Sequence, residues 1–133
     1  MLFQHEMKVR DYECDMQGVV NNANYQHYLE VTRHEWMQSF GQSFGEWHSR
    51  GVDAMVSRIT LDYKVALHGG EPFLSCITTV KREGPRFMFH QEIRRKADDK
   101  LCVKALVEVV TVVDGKLSRG DEAALLLQEG RVE

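Results

Sequence analysis

A chain of 133 residues suits one domain with a modest core rather than two. Seventeen Lys and Arg against twenty Asp and Glu leave a net charge of −3, so no overall field draws the chain to nucleic acid. No apolar run approaches the length a bilayer requires, which argues against membrane insertion.

Leu2 to Val9 alternates loosely and reads as a strand. Arg10 to Asn21 is polar loop. With Asn22 as N-cap, Ala23 to Phe40 reads as a helix, because Tyr25, Tyr28, Leu29, Thr32, Trp36 and Phe40 form one stripe at helical spacing. Gly41 ends it. Such a helix spans roughly 27 Å at about 1.5 Å per residue, long enough to be the spine of a small domain.

Four β segments follow. In Val52–Val65, the alternation puts Met55, Ser57, Ile59, Leu61, Tyr63 and Val65 on one face and Arg58, Thr60, Asp62 and Lys64 on the other. Its outward side, carrying Ala54, Val56 and Thr60 between the charges, suggests a sheet edge that pairs with a second copy. His68-Gly69-Gly70 turns into Phe73–Arg82, and Glu83-Gly84-Pro85 into Arg86–Lys96, with Phe87, Phe89 and Ile93 inward. Ala97 to Lys100 turns into the Val-rich Leu101–Val113, which Asp114-Gly115 closes. Asp121–Gln128 reads as a short final helix. A single amphipathic helix cannot cover its own stripe, and a curved antiparallel sheet wrapped around it buries both. The expected class is therefore α+β, with residues 1–133 as one domain.

Cys14, Cys76 and Cys102 are odd in number and far apart, and no CxxC pair exists. They read as free thiols in a reducing compartment rather than a disulfide framework or a structural zinc site. The N-terminus shows no basic region followed by an apolar run, so a cytoplasmic protein is expected.

The segment from Asp11 to Tyr25 carries the chemistry. Asp15 sits in a short polar loop just before a helix start, where unpaired amides and the helix dipole favour negative charge. A carboxylate there can attack or activate water while helix amides hold a developing oxyanion. The other reading of Asp15 is a turn cap. The pattern D-x-x-G-V-V-x-x-A-N-Y over Asp15 to Tyr25, followed by Tyr28, Leu29 and Glu30, resembles the signature of hotdog-fold thioesterases of the 4-hydroxybenzoyl-CoA thioesterase-like family. Val20-Asn21-Asn22 is also similar to the V-N-N of fatty-acyl thioesterases.

The resemblance implies a hotdog fold that hydrolyses acyl-CoA to a carboxylic acid and CoA. Asp15 would be nucleophile or general base, and the Asn22 N–H would polarise the thioester carbonyl. Gly18 would let the backbone turn beside the ligand, and Tyr25 would line the pocket. Arg82 and Arg86, with Lys81 around the Gly84-Pro85 turn, would meet CoA phosphates. The thioester is already activated, so no cofactor is implied. The family implies a homodimer or homotetramer with sites at subunit interfaces. Two departures stand out: relatives often carry His or Tyr where Asn21 and Asn22 stand, and Arg86 replaces a small hydroxyl residue.

His27, Glu30 and His34 share a helix face, but their spacing matches no metal motif, and no catalytic metal is expected. Cys14 lacks a recognisable partner for nucleophilic work. Two rival functions remain: an acyl-thioester hydratase or dehydratase, for which Val20 stands where the paired His would fall, and a non-catalytic acyl-CoA or acyl-carrier binding module. The sequence leaves open the acyl group, and whether CoA or acyl carrier protein bears it.

Overall fold

The structure, a computed structural model, describes residues 1–133. In chain order it contains β1 (Phe3–Lys8), a 3-10 turn at Asp11–Glu13, α1 (Asn22–Gln38), α2 (Phe44–Ser49) and β2 (Val52–Tyr63). Then come β3 (Pro72–Glu83), β4 (Arg86–Arg95), β5 (Leu101–Val113), β6 (Lys116–Leu117), α3 (Asp121–Leu126) and a last 3-10 turn at Gln128–Gly130. The sheet runs β1-β3-β4-β5-β2 with every pair antiparallel, and β6 adds a short rung on β5. It curves around α1, the hotdog arrangement expected. No helix is long and apolar enough to cross a membrane.

The hairpins follow local chemistry. Gly84, at φ +62°, opens the two-residue loop between β3 and β4, the place a type II′ turn reserves for glycine. Asp114 and Gly115, at φ +50° and +81°, occupy the left-handed region at both central positions, as a type I′ turn demands.

The core divides into two apolar pools. One gathers Tyr25, Tyr28 and Leu29 from the first half of α1 with Phe73, Ile93, Val103 and Ala105. The other gathers Trp36 and Met37 from its second half with Ile77, Phe87, Phe89, Val107 and Val109. Between them lies a buried polar belt. Thr32 Oγ1 donates to Tyr28 O (2.8 Å) and bonds Ser75 Oγ (2.6 Å). Arg33 Nη1 donates to Gln91 Oε1 (3.0 Å), and Gln91 Nε2 donates to Leu29 O (3.1 Å). All four side chains are buried.

Four details correct the sequence reading. Asn21, not Asn22, is the N-cap: its Oδ1 accepts from the Ala23 N–H at 3.1 Å, and α1 begins at Asn22. α2 was not foreseen; Ser43 caps it through the Glu46 N–H, and Trp47 anchors it, buried and bonded through Nε1 to Gln42 Oε1 at 2.9 Å. The last helix stops at Leu126 and passes into a 3-10 turn. In β2 a bulge places Ser57 between the pairs Val56↔Val109 and Arg58↔Glu108. It reverses the alternation, so Ala54 and Val56 share the inward face with Ile59 and Leu61, while Met55 points out. β2 is nonetheless a sheet edge, as expected.

Gly130 closes the second pool. A Cβ there would stand 2.5 Å from Trp36 Cζ2 and 2.9 Å from Phe40 Cζ. Gly130→Ala should therefore destabilise the fold by about 1–3 kcal/mol, the scale of overpacking, read as a lower urea midpoint at unchanged m-value.

Candidate active site

The loop ahead of α1 is built tightly. Asp15 N donates to Val19 O (2.9 Å) and Gly18 N to Asp15 O (3.0 Å), closing a turn that requires Gly18 at φ +79°. Short bridges pair Cys14 with Val20 and Val19 with His68. Glu13 pins the loop to the helix: its Oε1 accepts from Tyr28 Oη (2.9 Å) and Arg10 N (2.7 Å), while its main-chain oxygen accepts from Asn21 N (3.0 Å) and Asn24 Nδ2 (2.7 Å). Burial first, and then the Glu13 carboxylate, raise the Tyr28 phenol far above its usual range, so Tyr28 stays a donor to Glu13.

Asp15 is exposed, and one carboxylate oxygen is held by the N–H groups of Gln17 (2.8 Å) and Val19 (3.4 Å). Its second oxygen makes no hydrogen bond within the chain. At the helix start, Ala23 N–H is taken by the Asn21 side chain and Asn24 N–H by Asn21 O, whereas Asn22 N–H has no partner. The one-residue shift of the cap thus leaves Asn22 with the free amide.

Asp15 and Asn22 line one cleft of about 450 Å³, together with Gln17, Tyr25, Tyr63 and Lys64 among others. Tyr25 forms part of its wall. Its ring packs against Tyr28 and Tyr63 at centroid distances of 6.1 and 5.7 Å, and its hydroxyl accepts from Leu67 N at 3.2 Å. Burial raises the Tyr25 phenol above its ordinary value, with the Leu67 N–H acting against it. Gly18 shapes the loop but is not on the cleft wall. Cys14 is half-buried beside Asp11, Glu13 and Asp15; desolvation and these carboxylates raise its thiol above the usual value, which disfavours a thiolate. No group of three His, Cys, Asp or Glu side chains is placed to hold a metal.

Residues 9–125 match the sequence profile of the Thioesterase-like superfamily. The chain belongs to that superfamily. One member, the chloroplastic acyl-acyl carrier protein thioesterase ATL3 of Arabidopsis thaliana, is 41% identical over 69 residues, covering 52% of this chain and 36% of that protein. A second, the chloroplastic acyl-acyl carrier protein thioesterase ATL2 of the same plant, is 37% identical over 89 residues, 63% of this chain and 47% of that protein. The matched stretch thus spans half or less of these curated relatives. Among solved structures, the 1,4-dihydroxy-2-naphthoyl-CoA thioesterase of Synechocystis superposes with a TM-score of 0.86 at 20% identity, covering 96% of this chain and 93% of that one. At that identity the likeness shows the shared fold.

In this thioesterase-like chain the two arginines do not join the cleft. The cleft lies where β2 ends and β5 begins, while Arg82 ends β3 and Arg86 starts β4. β3, with twelve residues, spans roughly 40 Å at about 3.3 Å per residue, so both sit toward the opposite end of the sheet. Arg82 clamps the C-terminal segment, donating to Gly84 O (3.1 Å), Arg119 O (3.0 Å) and Asp121 Oδ1 (2.7 Å). Arg86 and Arg58 approach the two oxygens of Glu108 at 4.0 and 3.7 Å. The cation on the cleft wall is Lys64, which makes no ion pair. Sequence reasoning passed over Lys64 and Cys102 because only the fold brings them beside Asp15.

Arg82→Ala should cost about 1 kcal/mol, the net worth of exposed hydrogen bonds and one ion pair. The expected readout is a lower unfolding midpoint with faster proteolysis of the segment after Leu117. An unchanged midpoint would show that Arg82 is free to serve a ligand instead.

Proposed function

We propose that this protein hydrolyses acyl thioesters, with Asp15 as the catalytic carboxylate and the Asn22 N–H as the donor to the thioester oxygen. The observation that carries this reading is that Asp15, with one carboxylate oxygen unbonded, and Asn22, with its amide unbonded, line one cleft. As a general base, Asp15 takes a proton from water while the water oxygen attacks the carbonyl. The oxyanion forms against the Asn22 amide, the C–S bond breaks, and the thiolate leaves to be protonated. As a nucleophile, the carboxylate displaces the thiolate to form a mixed anhydride, which water opens to two carboxylates. Both routes need Asp15 ionised and close to the carbonyl, and neither needs a cofactor.

The superfamily and the acyl-carrier and acyl-CoA relatives support a thioester carrying either group. Lys64 is the best-placed cation for a carrier phosphate. No histidine lines the cleft with Asp15, which favours hydrolysis over hydration, since hydration needs an acid–base pair. We assign the working unit as at least a dimer. The free edge of β2 carries Met55, Val56 and Tyr63, each about half exposed, and a second copy would cover them, Tyr63 being the one that also lines the cleft.

Asp15→Asn keeps size and the turn bonds but can neither attack nor accept the proton. Thioester hydrolysis, followed by free thiol release, should fall by at least about a hundredfold with the fold intact. Cys14→Ala should remain active. Near-normal turnover in Asp15→Asn, or a dead Cys14→Ala, would refute the assignment; thioester binding without thiol release in the wild type would make the protein a binding module. Light scattering at micromolar concentration should give a dimer or larger, and a monomer would remove the basis for a site completed by a second copy.

A further inference from the structure

Arg33 is 7% exposed on the inner side of α1, yet it makes no ion pair with any carboxylate. Its only hydrogen bond runs from Nη1 to Gln91 Oε1 at 3.0 Å. Gln91 is itself committed to Leu29 O, so it offers no further help. Most of the guanidinium's five donors therefore have no partner within the chain. Burial lowers the Arg33 pKa to about 10, with Glu30 acting in the opposite sense from beyond ion-pair distance. The group is a cation at neutral pH, and its unbonded nitrogens face solvent at the chain's surface, which a ligand entering there must replace with something that answers the charge.

The space beside it indicates what that is. Arg33 lines a notch of about 280 Å³ between α1 and β2, together with Glu30 and His34, whose side chains approach each other at 3.8 Å, and an apolar wall of Phe44, Ala54, Val56 and Val109. Arg33, Phe44, Ala54 and Val109 also line a small inner cavity of about 20 Å³. Thr111 lines that inner cavity too, and its Oγ1 is the one buried side-chain oxygen or nitrogen with no hydrogen-bond partner. The Asp15 cleft opens on the same seam, bounded by Asn22 and Tyr25 of α1 and by Tyr63 of β2. Eleven residues of α1 separate Asn22 from Arg33, about 16 Å of helix rise, and a helical side chain reaches back toward the N-terminus.

Resting on the reading of Asp15 as a thioesterase carboxylate, we propose that the notch takes the far end of the acyl group and that Arg33 binds a carboxylate carried there. The preferred substrates are then thioesters of dicarboxylic acids rather than of plain fatty acids. A methyl-ended tail would displace water from the guanidinium and give nothing back. A carboxylate accepts two parallel N–H bonds from the Arg33 fork and neutralises its charge. The aliphatic part of the acyl group lies against the apolar wall between the two ends.

The test compares matched pairs: hexanedioyl-CoA with hexanoyl-CoA, and dodecanedioyl-CoA with dodecanoyl-CoA, assayed by thiol release. The corresponding non-hydrolysable CoA thioethers are assayed by calorimetry. In the better-fitting pair the wild type should favour the carboxylate-bearing member by about tenfold or more in both kcat/KM and Kd, the scale of one charge-assisted bidentate pair. Arg33→Met keeps the apolar stem and removes the charge; it should weaken binding and kcat/KM for the carboxylate-bearing members and so abolish the preference within each pair. Should that variant not fold, Arg33→Lys, which keeps charge but loses the fork, should show a reduced preference. Equal wild-type Kd values within both pairs overturn the proposal, as does an Arg33 variant that keeps the full preference. A thioether preference without turnover of any thioester would sink the hydrolase reading and leave the Arg33 site standing.

Discussion

The buried polar belt under α1 is the constraint on which the remaining geometry depends. Apolar packing alone would let a helix slide or roll on a curved sheet, because dispersion contacts carry little direction. Thr32 bonded to Ser75 on β3, and Arg33 to Gln91 on β4, remove that freedom: any shift would leave buried polar groups unpaired, at about 1–3 kcal/mol each. The belt lies where the two apolar pools meet, so each pool packs in one register. The first turn of α1 is thereby fixed against the end of β2, and the Asn22 amide falls at the cleft.

A second layer of order lies in the loop. Glu13 ties it to α1 by three separate routes: Tyr28 through a side chain, Asn21 through the main chain and Asn24 through an amide. The carboxylate and the amide proposed to act on the thioester come from segments only seven residues apart, Asp15 and Asn22, yet neither is left to loop mobility. Asp15 itself spends one oxygen on its own turn and keeps the other open. The same residue acts as turn cap and as candidate catalyst, so the two sequence readings are compatible.

Much of the fold was legible because local signals agreed with the global one. Alternation together with Gly84, Asp114-Gly115 and the Gly69-Gly70 turn delimited the long strands to within a residue or two. What escaped has physical causes. Two adjacent asparagines are equally good caps by chemistry, and only backbone geometry selects Asn21. α2 is one and a half turns long, held by Trp47 burial rather than by any periodic pattern. The Ser57 bulge is invisible to a count of alternating residues, because both readings look equally regular until the partner strand is known. Nothing local marks Arg33 as buried, since its hydrogen-bond partner Gln91 lies 58 positions away. The charge of Arg82 is visible in the sequence, whereas its partner Asp121, 39 positions away, is visible only in the fold.

The Ser57 bulge has a bearing on solubility. A free strand of twelve residues offers a row of unpaired donors and acceptors to any extended chain it meets. One extra residue near the middle bends that row and sharpens its twist, so a flat foreign strand finds only half of it in register. A second copy of this chain carries the same irregularity and can meet it across a two-fold axis. The bulge thus discourages this edge from seeding growth into fibrils.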